Sequence, residues 1–288
     1  MRLVTLAVGD DPGAATRAAV LRGTGGAVPI DAYADAGALL RAGDLAAAHR
    51  ALEGDAPALA YDDAALRRPV LRPDAVACVG LNYAAHIREM GRDLPVAPTW
   101  FSKLSRALTD PYADVVIPEG ADRMDYEGEL AVVIGRAGRA IPAARAWDHV
   151  AGLTVANDVT SRALQRRGAQ WFAGKTLQAS TPVGPALVTV DELGGPDGLA
   201  DRELRVDVDG QERQRAPLGD LVFDIPALVA DLSRWVELLP GDLLLTGTPG
   251  GVGDAEERYL GDGETVTVAI DGLGAVRTTM RATAEAGS

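Results

Sequence analysis

Apolar residues along this chain recur mostly with the period of a strand. Short runs rich in Val, Ile, Leu and Thr, bounded by Gly, Pro or Asp, fall at residues 75–79, 115–117, 129–134, 152–156, 186–190, 204–208, 243–246 and 265–270, as buried or half-buried strands do. Asp209-Gly210 and Asp271-Gly272 stand between such runs and predict hairpins. Helical spacing is rarer. It predicts helices at 143–148, 161–167 and 225–237, the last with Leu228, Val229, Leu232, Val236 and Leu239 on one buried face. Nearer the amino terminus, residues 2–8 and 19–22 are β-like, and an Ala/Leu-rich stretch at 35–53 reads as an amphipathic helix interrupted at Gly43. Pro69 and Pro73 then favour an extended connection. We therefore expect a small N-terminal α+β domain at 1–69 and a larger domain at 70–288. The strands follow one another too closely for crossover helices, so the expected class is α+β and β-rich.

A chain of 288 residues can bury a substantial core. Its 47% hydrophobic and 24% charged content excludes wholesale disorder and a membrane bundle. No run reaches the roughly eighteen apolar residues of a membrane span. The first apolar stretch is interrupted by Asp10 too soon for a secretion signal, so a cytoplasmic location is expected. The single cysteine, Cys78, agrees with a reducing compartment. A net charge of −13 argues against a nucleic-acid partner. It also means that a small anionic substrate needs a local cation.

Candidate chemistry concentrates in Asp125-Tyr126-Glu127-Gly128-Glu129-Leu130. Glutamates two apart at the start of a strand share a face, where mutual repulsion is costly unless a hard cation such as Mg²⁺ or Mn²⁺ lies between them. A solvated strand edge is the plain alternative. Asp158, following the run 152–156, is a possible third ligand or else a helix cap. His86 and Glu89, three apart on a helix, can pair as a general base and its orienting carboxylate, or simply as a surface pair. His49 and His149 have no such companion and read as structural or surface residues. Lys175, among apolar and aromatic neighbours, either meets an anion or reaches solvent. The loop Thr246-Gly247-Thr248-Pro249-Gly250-Gly251-Val252-Gly253 lacks the ending of a nucleotide loop. It can present backbone amides to a carboxylate, or serve only as a tight turn.

Taken in order, these segments resemble the fumarylacetoacetate hydrolase family across roughly residues 75 to 275. The resemblance rests on Val79-Gly80-Leu81-Asn82-Tyr83-Ala84-Ala85-His86, the segment from Asp125 to Gly135, Asn157-Asp158-Val159-Thr160-Ser161-Arg162-Ala163-Leu164-Gln165, Gln170-Trp171 to Lys175, and Pro240-Gly241-Asp242 through Gly253. It implies a mixed β-sandwich roll behind a small N-terminal domain, and a homodimer. It further implies Mg²⁺ or Mn²⁺ on Glu127, Glu129 and Asp158, and a water-activating dyad of His86 and Glu89. Lys175 then matches the substrate-site lysine, and Arg162, Gln165 and Thr248 match substrate-binding positions. One departure stands out: the family often places an acid three residues after the lysine, where this chain has Gln178. An amide cannot be a charge partner, so Lys175 is expected to be tuned differently.

The activity that follows is hydrolytic carbon–carbon cleavage of an acylpyruvate-like (2,4-dioxo acid) substrate through a metal-bound pyruvate enolate. Oxaloacetate decarboxylation or tautomerisation of a 2-oxo diacid passes through the same kind of anion and would use almost the same residues, so a lyase and an isomerase are the alternatives. A non-catalytic metabolite-binding protein is disfavoured, since it would not need metal ligands, a base dyad and a lysine together.

Overall fold

The strand pattern folds into two main sheets packed face to face, with a two-stranded ribbon of Met124–Asp125 and Thr160–Ser161 beside them. The computed structural model describes residues 1–9, 14–23, 26–89, 91 and 93–283. The larger sheet runs, in spatial order, Gly26–Ile30, Ala15–Arg22, Arg2–Val8, Thr181–Val188, Val150–Asn157, Gly128–Ile134, Leu243–Leu245, Val76–Gly80 and Thr99–Lys103. Neighbours along it are antiparallel except Leu243–Leu245, which lies parallel to Val76–Gly80. The second sheet orders Gln211–Pro217, Glu203–Val208, Thr265–Ile270, Gly274–Ala282 and Val115–Ile117. This is the expected β-rich α+β class.

Strand alternation explains how the central strands bury both faces. Leu130, Val132 and Ile134 join Leu204, Val206, Val268 and Val276 of the second sheet in one apolar cluster. The intervening Ala131 and Val133 belong to another cluster with Val76, Cys78, Leu187 and Leu243. Each fully buried Val or Leu here contributes roughly 1.5–3 kcal/mol relative to exposure. The second cluster also takes in Leu3, Val20, Leu39 and Leu40, so the N-terminal residues cover the large sheet on that side. Their strand Arg2–Val8 is bonded to Thr181–Val188, with Leu3 opposite Leu187. Their helices, Ala36–Arg41 and Leu45–Glu53, are separated at Gly43, whose φ of +67° lies in the left-handed region that glycine adopts most easily.

Several elements differ from their sequence patterns for identifiable reasons. Thr181–Val188 begins five residues earlier than its apolar run, because Pro182, Gly184 and Pro185 disguise a strand. Gln211–Pro217 is polar on its outer face, yet it pairs along Glu203–Val208 through an Asp209-Gly210 turn with φ of +49° and +74°. Ile225–Ser233 ends before Val236, and the chain then straightens so that Leu238 pairs with Gly138. Leu238 is consequently buried, while Val236 and Leu239 are exposed. The 143–148 segment forms the 3₁₀ helix Ala143–His149. The 161–167 segment contracts to Arg162–Gln165, capped by the Ser161 hydroxyl. No helix among the described residues is long and apolar enough to cross a membrane.

Candidate active site and metal centre

Two neighbouring strands bring the acids together. Gly128–Ile134 and Val150–Asn157 pair with Gly128 opposite Asn157, so the residue before the first strand and the residue after the second lie side by side. The Asp158 amide donates to the Glu127 carbonyl at 2.8 Å, and the Glu127 amide donates to Asn157 Oδ1 at 3.0 Å. Glu127, Glu129 and Asp158 thereby place one carboxylate oxygen each within 4.8 Å of one another, and all three are buried. A donor set made only of carboxylate oxygens suits a hard divalent cation, so these residues can hold one. Ser161, not Asp158, caps the following helix, leaving Asp158 to the cluster.

Buried cations answer the acids. Lys175, at the end of the helix Phe172–Lys175, donates to Glu127 Oε2 and to Asp158 Oδ2, the latter at 2.9 Å. Lys103, at the end of Thr99–Lys103, donates to the other oxygen of Asp158. Arg162 binds Asp125 Oδ2 through Nε and Nη2, both at 2.8 Å, and Glu127 Oε1 at 2.6 Å. Its Nη1 donates to Gln165 Oε1 at 3.0 Å. Four buried carboxylates, Asp125, Glu127, Glu129 and Asp158, thus face three buried cations, and the cluster is one positive charge short. The deficit falls on Glu129. Burial, then Asp158 and Glu127, push its carboxyl well above the ordinary range, against Lys175 and the Gly247 amide. Burial would raise Asp158 as well, but Lys103 and Lys175 overcome it and hold that carboxyl below its usual value. For Lys175, burial favours the neutral amine, yet Asp158 and Glu127 outweigh it and keep the ammonium charged.

Above the acids opens a cavity of about 440 Å³, lined by Glu127, Glu129, Arg162, Gln165, Lys175 and Thr248, with Phe101 and Trp171 as one wall. Seven of the nine expected site residues are therefore gathered at one place, Asp158 lying just beneath the floor. His86 and Glu89 fall on the helix Ala84–Glu89, but their side chains lie outside the described residues. His49 is exposed, and His149 Nδ1 donates to the Arg136 carbonyl at 3.0 Å, away from the pocket lining. Gln178 is exposed and lines a different cavity; Lys175 takes its charge partners from Glu127 and Asp158 instead.

The glycine-rich loop directs its amides inward. Gly247 donates to Glu129 Oε2 at 2.7 Å, while Gly253 and Asp254 donate to Asp125 at 2.8 and 3.0 Å. Gly247 has a φ of +97°, and a Cβ there would meet Val79 O and Asn82 Cβ at 3.0 Å. Sequence reasoning passed over Lys103 and Asp125. Lys103 carried the same signal as Lys175, a lysine beside Trp100 and Phe101. Gln214 was also missed: it accepts from the Gly128 amide and donates to Thr248 Oγ1, tying the second sheet to the pocket.

Comparison with known proteins matches this arrangement. Residues 75–281 fit the fumarylacetoacetate (FAA) hydrolase C-terminal family. The chain belongs to the fumarylacetoacetate hydrolase family. Among curated members, the mitochondrial oxaloacetate tautomerase FAHD2A of Bos taurus is 41% identical over 236 residues, covering 81% of this chain and 74% of that protein. Among solved members, fumarylacetoacetate hydrolase from Exiguobacterium antarcticum superposes with a TM-score of 0.84 at 31% identity, over 98% of this chain and 100% of that one. Fumarylpyruvate hydrolase from Pseudomonas aeruginosa, solved with Mn²⁺ and pyruvate, gives 0.67 at 36% identity, over 75% of this chain and 91% of that one. Hydrolases and tautomerases are thus both at hand among the family members similar to this chain.

Proposed function

We propose that this enzyme enolises a small 2-oxo diacid, its reaction being keto–enol tautomerisation of an oxaloacetate-type substrate. The observation that carries the reading is the convergence of Glu127, Glu129, Asp158 and Lys175 at one pocket. Its preference for tautomerisation rests on the 41% identity to an oxaloacetate tautomerase. A divalent ion, Mg²⁺ or Mn²⁺, on Glu127, Glu129 and Asp158 would supply positive charge to the substrate's 2-oxo and carboxylate oxygens.

Lys175 stays protonated between two carboxylates, so it cannot take a proton from carbon. It serves as a fixed donor to the oxygen that gains charge as the enolate forms. Losing one such contact costs roughly 3–4 kcal/mol in the barrier. Movement of the proton at the carbon beside the carbonyl is assigned to His86, oriented by Glu89, while the proton of the enol oxygen exchanges with water. Gln165 and Thr248 orient the substrate's carboxylates, and Arg162 keeps Asp125 and Glu127 in place while adding positive potential. The finer expectations, a cytoplasmic homodimer among them, belong to this proposal.

Carbon–carbon hydrolysis of an acylpyruvate is the second reading, favoured by the likeness to a fumarylpyruvate hydrolase solved with Mn²⁺ and pyruvate. There His86 and Glu89 would activate water rather than move a carbon-bound proton. The deciding experiment supplies oxaloacetate and a panel of acylpyruvates to the protein with Mg²⁺ or Mn²⁺, following enol absorbance and product masses together. Faster enol decay without new masses supports the tautomerase. Pyruvate released from acylpyruvates supports the hydrolase, carbon dioxide from oxaloacetate a decarboxylase. Tight binding without any turnover would leave a metabolite-binding protein and end the enzymatic reading.

A further inference from the structure

A second cavity, of about 600 Å³, is lined in part by the residues that follow the site lysines Lys103 and Lys175 in the chain. Its lining includes Arg68, Arg72, Arg106, Ser105, Thr109 and Gln178, and no carboxylate. That composition is unexpected in a chain with a net charge of −13. The nearby acid Asp110 is already shared: its carboxylate meets Arg67 at 3.4 Å and Arg68 at 3.2 Å, and accepts from the Arg68 amide at 3.0 Å. Arg68 is further fixed by its Nε donating to the Leu71 carbonyl at 3.1 Å. Arg72 and Arg106 are exposed and make no ion pair among the described residues. Gln178, the amide standing where an acid would have neutralised the group, leaves the surplus positive charge in place.

We propose that this cavity is a second anion site, taking a small ion with at least two negative charges, a phosphate or a dicarboxylate. Planar guanidinium forks match both chemistries, since each can receive paired oxygens. Two of its walls follow in sequence on segments that carry the catalytic pocket's lysines. The wall at 104–109 continues directly from Lys103, and the wall at 176–179 continues from Lys175. The two walls are bonded to each other, Leu104 amide to Thr176 Oγ1 at 3.0 Å and Ala179 amide to the Arg106 carbonyl at 2.9 Å. An anion drawing Arg106 towards Arg72 would therefore pull on the segments that position both lysines, and so alter turnover.

The test is calorimetric titration of the Mg²⁺-loaded full chain with inorganic phosphate and, separately, with succinate. Saturable binding of either ion, one per chain, is expected, and the ion that binds names the class. Two variants outside the catalytic pocket localise it: Arg72→Ala with Arg106→Ala, and Gln178→Glu. Each is expected to weaken binding about tenfold or more, as loss of charge-assisted bonds does, while activity without the anion is unchanged. Kinetics with the bound anion are expected to change in the wild type and not in the variants. Three results would overturn the proposal: no saturation by either ion, equal affinity in both variants, which would place the ion in the catalytic pocket, or conversion of a dimer to monomers by the arginine variant, which would make the cavity an interface.

Discussion

Burial and two neighbouring carboxylates oppose the charge on Glu129, so its proton is retained well above the ordinary carboxylate range. A raised acid binds a proton in the folded state that the unfolded chain has released, so without metal its contribution to stability falls as pH rises through that window. Metal binding has to displace the same proton. Mn²⁺ affinity is therefore expected to rise with pH, by up to about tenfold per unit while one proton is displaced, and Glu129→Gln is expected to flatten the slope. Calorimetry at stepped pH measures it, and a level wild-type profile would show that Glu129 does not hold the proton. Lys103 makes a second prediction. It is fully buried against fully buried Asp158, and removing one partner of such a pair costs roughly 3–5 kcal/mol. Lys103→Met should lower the urea midpoint accordingly, and an unchanged midpoint would mean that Lys175 suffices for Asp158. The acids and Lys175 were readable in the sequence because charge at a strand end or among apolar residues demands a partner. Lys103 gave the same signal in a segment whose strand character was hidden by Ser102 and the prolines before it.

Elements position these groups by close approach. Gly80, ending the strand Val76–Gly80, lies under Trp171: a Cβ there would stand 2.4 Å from Cζ3 and 2.8 Å from Cη2 of the indole. Trp171 meets Phe101 edge-on, with centroids 5.4 Å apart, and the Lys175 ammonium lies 5.1 Å from the Phe101 ring centre. Gly80→Ala therefore has to displace the indole that walls the pocket. Because Trp171 is half-exposed, the ring can move without unfolding the chain. The expected outcome is a KM about tenfold higher, from a repacking strain of order 1–3 kcal/mol, with little change in melting temperature. A wild-type KM would show that the aromatic wall does not shape the pocket. Strands with clean apolar alternation, such as Gly128–Ile134, were legible in the sequence. Gln211–Pro217 was not, because its pairing is imposed by the Asp209-Gly210 turn and its inward residues are Gln214 and Ala216.

For the whole molecule, the informative feature is the sheet that crosses the proposed boundary near residue 70. Arg2–Val8 pairs with the end of Thr181–Val188 at Leu187 and Val188, and that strand also pairs with Val150–Asn157, the strand that leads into Asp158. Residues 1–69 also complete the apolar layer over Val76, Ala131, Leu187 and Leu243. A chain beginning at Val70 would leave the end of Thr181–Val188 unpaired at Leu187 and Val188 and the layer open to water, a combination that promotes aggregation. The intact protein is accordingly expected to unfold in a single calorimetric transition, with the truncated chain recovered only as aggregate. Mn²⁺ should raise the whole transition, because a ligand bound only by the native state stabilises everything that unfolds with its site, by about 2.7 kcal/mol when free metal is 100 times Kd. Glu127→Gln with Glu129→Gln should abolish that rise. Two transitions, of which metal moved only one, would establish that residues 1–69 fold as a unit of their own and merely rest against the catalytic sheet.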